Sequence, residues 1–106
     1  DPVNRAFKHM NPVVYIPMQG PSELGASGKL ANWDRTNDLA QIPVPTLVIG
    51  ARYDTMDPKH LEMMASRVSD GRYLYCPNGS HLAIYDDQQV YMQGIVGFIR
   101  DVEARD

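Results

Sequence analysis

The spacing of apolar and polar positions changes near residue 45. From Pro45 onward, TLVIGA (46–51) is an unbroken apolar, β-branched run closed by a charged turn, the pattern of a strand buried on both faces. Asp57 followed by Pro58 reads as an N-cap with proline in the first helical position, and Leu61, Met64, Ala65 and Val68 then recur at helical spacing until Gly71 supplies a stop. RYLYC (72–76) predicts a second strand. Beyond it, Asp86 or Asp87 caps a last helix, in which Tyr91, Ile95, Phe98, Ile99 and Val102 form one apolar stripe. Residues 1–45 show neither a period of 2 nor one of 3.6 and hold six of the eight prolines, so they predict loops and short helical turns.

Strand, helix, strand, helix is the texture of an α/β fold whose parallel neighbours are joined by a crossover helix. In open sheets of this kind, ligands and reactive groups gather at the carboxyl ends of the strands. Two loops leave that edge: ARYDTMD, which carries Asp54, and PNGSH, which carries His81. Adjacent parallel strands lie about 4.8 Å apart, so both side chains can meet above the sheet despite their separation in sequence. A carboxylate that accepts the proton of one imidazole nitrogen fixes the tautomer and stabilises the imidazolium formed when the other nitrogen takes a proton. Taken singly, an Asp in a loop usually caps a turn and a His in a turn is usually solvated. It is their shared edge that raises the pair above that reading. His9 and His60 read as surface residues, no close ligand spacing suggests a metal, and no cofactor is expected.

Composition narrows the field. A chain of 106 residues, 43% hydrophobic and 22% charged, fits at most one globular domain, and a net charge of -3 with scattered basic residues gives no footprint for nucleic acid or an anionic membrane. No apolar run reaches the roughly 20 residues of a membrane helix. Cys76 stands alone, so no internal disulfide is expected; its place in a strand predicts an inert buried thiol, and a reducing, cytoplasmic setting fits. The chain opens on Asp1, which reads as the start of a piece of something longer.

A poised imidazole needs a group to deprotonate. Ser22, Ser27, Ser66, Ser69 and Ser80 are available, and none lies in the G-x-S-x-G strand-to-helix elbow that exposes a nucleophile. Triads of α/β-hydrolases run Ser, Asp, His along the chain, so the serine is expected upstream of Asp1.

The runs MQGPSELGASGKLANWDRTNDL, VPTLVIGARYDTMDP and GRYLYCPNGSHLAIYDDQ resemble the carboxyl-terminal part of proline iminopeptidases, α/β-hydrolase enzymes that remove an amino-terminal proline from peptides. The resemblance implies that residues 1–45 are the end of a cap region and a connecting segment, and that 46–106 are the carboxyl-terminal βαβα part of the hydrolase core. It implies Asp54 as triad acid, His81 as general base and Glu23, in GPSEL, as the carboxylate that contacts the substrate's free α-amino group. Some relatives carry a second acid after the triad Asp, where this chain has Thr55; Asp57 or an acid outside the chain is the alternative. Trp33 and Tyr53 are candidate walls of a proline pocket, although large aromatics are more often core. The implied partners are a peptide with amino-terminal proline and the missing amino-terminal part of the hydrolase, or another copy of the chain. An amidase or esterase of the same fold, a non-catalytic α/β module and a truncated product without function of its own remain open.

Overall fold

The computed structural model describes residues 2–22 and 25–105, which form two compact units divided between Arg35 and Thr36. In the first, α1 (Pro2–Phe7) and α2 (Pro12–Gln19) precede an irregular return. α2 starts because Asn11 accepts the Val13 N–H at 3.0 Å and Pro12 needs no donor there. It ends at Gly20, whose φ of 103° favours glycine. The returning chain then pairs with it: the amides of Ser27 and Gly28 donate to the Gln19 carbonyl, and those of Lys29 and Leu30 to Pro17 and Met18.

The second unit carries the regular structure. β1 (Thr46–Ala51) and β2 (Gly71–Cys76) pair in parallel, with Thr46 opposite Gly71 and Ala51 opposite Cys76. α3 (Pro58–Arg67) makes the crossover; Asp57 caps it by accepting the Lys59 N–H at 3.0 Å, and it closes at Val68. Gly71 is therefore the first residue of β2 and not the helix stop. A 3-10 helix (Thr36–Gln41) precedes β1 and packs against α3.

Period-two alternation sends β2 side chains to opposite faces. The Tyr73 hydroxyl donates to the Pro58 carbonyl on the α3 side, whereas Leu74 lies against Gly94 in α5 (Gln88–Glu103) on the other. A short helix, α4 (Ala83–Asp86), joins the His81 loop to α5. Ala51, Cys76 and Ala83 form a small buried cluster, with Ile49, Leu74, Val90 and Tyr91 packed on it. In the predicted α5 stripe, Tyr91, Ile95, Phe98 and Val102 are half-buried and Ile99 is exposed.

The buried apolar residues, among those described, are Ala51, Ala65, Val68, Cys76 and Ala83. That is little for a parallel sheet, which is normally covered on both faces and flanked by further strands. Among the described residues the sheet has two strands, so each keeps one unpaired edge, and Val44, Met92, Val96 and Ile99 face outward. These are the features of a segment cut from a larger core.

Candidate active site

The parallel register puts Ala51 and Cys76 side by side at the carboxyl ends of their strands, so both following loops begin at one point. The chain then ties the loops together. The Arg52 amide donates to the Cys76 carbonyl at 3.1 Å and the Tyr53 amide to the Gly79 carbonyl at 2.9 Å. Gly79 allows this closeness, since a Cβ there would lie 2.8 Å from the Ala83 Cβ and 3.0 Å from the Cys76 Cβ.

Asp54 and His81 meet across that seam, with His81 Nδ1 at 3.0 Å from Asp54 Oδ1. The same oxygen accepts the Met56 amide at 3.0 Å and the Thr55 hydroxyl at 3.4 Å. An ionised carboxylate only accepts, so the contact assigns the proton to Nδ1. Asp54 is sunk to 11% side-chain exposure while the imidazole is 67% exposed, and Nε2 has no hydrogen-bond partner among the described residues. Burial is the largest influence on the Asp54 carboxyl and pushes its pKa up, but the Met56 amide, the hydrogen bond from His81 and the charge of His81 together bring it below its ordinary value. It is therefore an anion wherever an imidazole titrates. A cavity of about 280 Å³ adjoins the pair, walled in part by Ile49, Leu61, Ile84 and Tyr91.

Other sequence candidates fall elsewhere. Glu23 lies outside the described residues. Tyr53 is 64% exposed, with the Arg52 guanidinium 5.2 Å over its ring, and Trp33 in the first unit is 66% exposed, so neither is a core residue. His9 and His60 are exposed. Asp57 holds the start of α3. The hydroxyls of Ser66, Ser69 and Ser80 are committed to the Met63 carbonyl, the Ala40 carbonyl and the Asp86 carboxylate. Among the described residues, no three His, Cys, Asp or Glu side chains converge as a metal site would require, and no helix is long and apolar enough to cross a membrane.

Sequence reasoning missed what holds the His81 turn. Either Asp86 or Asp87 reads as the cap of the last helix, yet Asp87 makes no side-chain cap bond on α5; its carboxylate accepts the Asn78 amide at 3.1 Å instead. Asp86 accepts the Ser80 amide at 3.0 Å and the Ser80 hydroxyl. A Ser followed six residues later by Asp is the only trace of this in the sequence, and it has no periodic meaning.

Known proteins resemble this chain over nearly its whole length. The chain is 61% identical over 102 residues to the proline iminopeptidase of Flavobacterium johnsoniae, covering 96% of this chain and 34% of that protein. In sequence, the chain is the counterpart of the carboxyl-terminal part of the proline iminopeptidases. The Elizabethkingia meningoseptica proline iminopeptidase is 59% identical over 107 residues, covering 99% of this chain and 36% of its own length. The Saccharolobus solfataricus proline iminopeptidase is 30% identical over 103 residues, covering 96% and 33%. The chain thus spans about a third of the curated relatives it matches. The crystal structure of VinJ superposes with a TM-score of 0.83 at 26% identity, covering 94% of this chain and 34% of that one. The fold is accordingly the carboxyl-terminal βαβα part of an α/β-hydrolase. No protein-family model matches the chain.

Proposed function

We propose that this chain supplies the acid and the base of a Ser-Asp-His triad in a proline iminopeptidase, the serine lying in a part of the enzyme that this chain does not include. The observation that carries the reading is the 3.0 Å contact between His81 Nδ1 and Asp54 Oδ1 at the carboxyl edge of the sheet, with Nε2 left for another group. In the proposed cycle, Nε2 takes the serine proton as the serine oxygen bonds to the carbonyl carbon of an amino-terminal proline. Asp54 stabilises the imidazolium. The same proton then passes to the departing amine as the C–N bond breaks, leaving a prolyl ester on the enzyme. Water, deprotonated by Nε2, attacks that ester, and proline and the free serine result.

The substrate is a peptide with an unblocked amino-terminal proline, and Glu23 is assigned the contact with its ammonium on the strength of the sequence resemblance. A fixed carboxylate in a partly desolvated pocket is what recognition of that charge requires. Residues 1–45 are read as the end of the cap region with its connecting segment. The missing strands come from the amino-terminal portion of the same enzyme. The single cysteine, buried and unpaired, supports a cytoplasmic setting.

The test joins this chain to the amino-terminal two thirds of the Flavobacterium johnsoniae enzyme and follows proline release from a proline anilide. His81→Ala is expected to remove a factor of roughly 10³ or more in kcat. Activity within a few fold of the parent would remove the base assignment. Glu23→Gln should weaken turnover of the free amine while leaving an N-acylated proline substrate at its low parental rate; no loss on the free amine would end the recognition role.

A further inference from the structure

The dyad contact fixes one atom of the imidazole, and a ring held at one point still swings. The backbone that carries it does not. Each polar group of Ser80, the residue before His81, is bonded: its N–H donates to Asp86 Oδ1, its hydroxyl donates to Asp86 Oδ2, its Oγ accepts the Leu82 amide at 3.1 Å, and its carbonyl accepts the Ala83 amide at 3.1 Å. The residues on both sides of His81 are thereby locked to one another through a single serine. Asp86 sits at the end of α4 and reaches back six residues, and its neighbour Asp87, buried, holds the Asn78 amide on the other limb of the same turn. Across the seam, the Gly79 carbonyl takes the Tyr53 amide, so the turn is also keyed to the Asp54 loop.

None of this is needed to start a helix. α5 begins without a side-chain cap from Asp87, and α4 is a single short turn with no side-chain cap bond at its own start. Two carboxylates in succession are spent on the six-residue loop 77–82, whose one reactive side chain is His81. Hydrogen bonds to an ionised acceptor are the stronger kind, and both Ser80 donors end on one carboxylate in a two-point grip. The Ser80 hydroxyl and amide, in turn, hold the Asp86 carboxyl below its ordinary pKa, so the grip persists across the range in which an imidazole works as a base.

We propose that Ser80 and Asp86 are positioning residues for His81: they act as one unit that aims Nε2 at the serine supplied by the rest of the enzyme. The inference rests on the reading of His81 as general base and adds to it a pair of residues that touch neither substrate nor reacting atoms. Its consequence is kinetic. A misaimed base binds substrate as before and transfers the proton poorly, so kcat falls and KM does not.

The experiment uses the same joined enzyme. Ser80→Ala, Asp86→Asn and the double variant are compared for kcat and KM on a proline anilide, with active sites counted by covalent titration of the serine with a fluorophosphonate so that misfolded protein is excluded. Each single variant is expected to lose roughly 10- to 100-fold in kcat per titrated site, the scale of a small misplacement of a reacting group, with KM within about twofold. The double variant should lose no more than the worse single one, since the two side chains form one unit. Ser80→Thr, which keeps the hydroxyl, should recover most of the rate, whereas Ser80→Val should not. Per-site kcat within twofold of the parent in both single variants, or losses that multiply in the double variant, would overturn the proposal. His81→Ala run alongside separates the two readings: if it is inactive while the Ser80 and Asp86 variants are normal, the positioning role alone falls; if it is active, the base assignment and the positioning role fall together.

Discussion

Replacing Asp54 by asparagine removes one charge and almost no volume. The three hydrogen bonds that Asp54 receives, from Thr55, Met56 and His81, all end on Oδ1, and an amide oxygen in the same place accepts them equally. The loop should therefore keep its shape, and the change isolates the electrostatic part of the dyad. At 3.0 Å, an imidazolium and a carboxylate attract by about 1.4 kcal/mol in bulk water and about 5.5 kcal/mol at an effective dielectric of 20. With about 1.4 kcal/mol per factor of ten, these limits correspond to losses of roughly 10-fold and 10⁴-fold in kcat. Asp54 is buried and His81 is open to solvent, which places the isolated pair between the limits. The expected loss is therefore intermediate, roughly 10²- to 10³-fold. An amide turned the other way would present an N–H to Nδ1 and hold the wrong tautomer, which deepens the loss. The assay is proline release at saturating substrate, normalised to titrated serine, with thermal melting to show that the fold is intact. A kcat within threefold of the parent would refute the argument, because no geometry with a charge-stabilised imidazolium tolerates loss of its counter-charge so lightly.

Three further predictions concern the fold. Asp54 and Asp86 are both held below their ordinary pKa of 3.8, so the stability they add is complete above that value and is lost as pH falls below it; in urea melts, Asp86→Asn should be less stable than the parent at pH 6, with the gap closing on acidification, and a gap independent of pH would contradict this. Cys76 has 0% exposure and burial raises its thiol pKa, so iodoacetamide should leave it untouched until denaturant is added; rapid stoichiometric alkylation of the folded protein would show the strand end to be open. Gly79→Ala places a methyl 2.8 Å from the Ala83 Cβ and 3.0 Å from the Cys76 Cβ, atoms fixed to the backbone; a loss of about 1–3 kcal/mol in denaturant melts is expected, and an unchanged midpoint would mean the turn is slack.

The elements of the second unit were legible because their signals are local. A β-branched run between a proline and a turn, an Asp-Pro pair ahead of helically spaced apolar residues, and a second short strand need no knowledge of what they pack against, and all three lie where the pattern puts them. The boundary errors are local too: Gly71 looks like a helix stop because glycine often is one, but the helix has already closed at Val68 and the residue serves the strand.

By itself, the sequence determined the strand-helix-strand-helix order of the second unit, the edge at which Asp54 and His81 emerge, and the likeness to the carboxyl-terminal part of a hydrolase. Only the tertiary structure decided that Oδ1 and Nδ1 lie at 3.0 Å, because that distance depends on the register of two strands and on the Tyr53-to-Gly79 bond between their loops. It also decided the use of Asp86 and Asp87. A carboxylate beside a helix start satisfies amides equally well ahead of it or inside it, and which ones it takes is settled by how the chain turns back over Cys76, a long-range fact that no local pattern encodes.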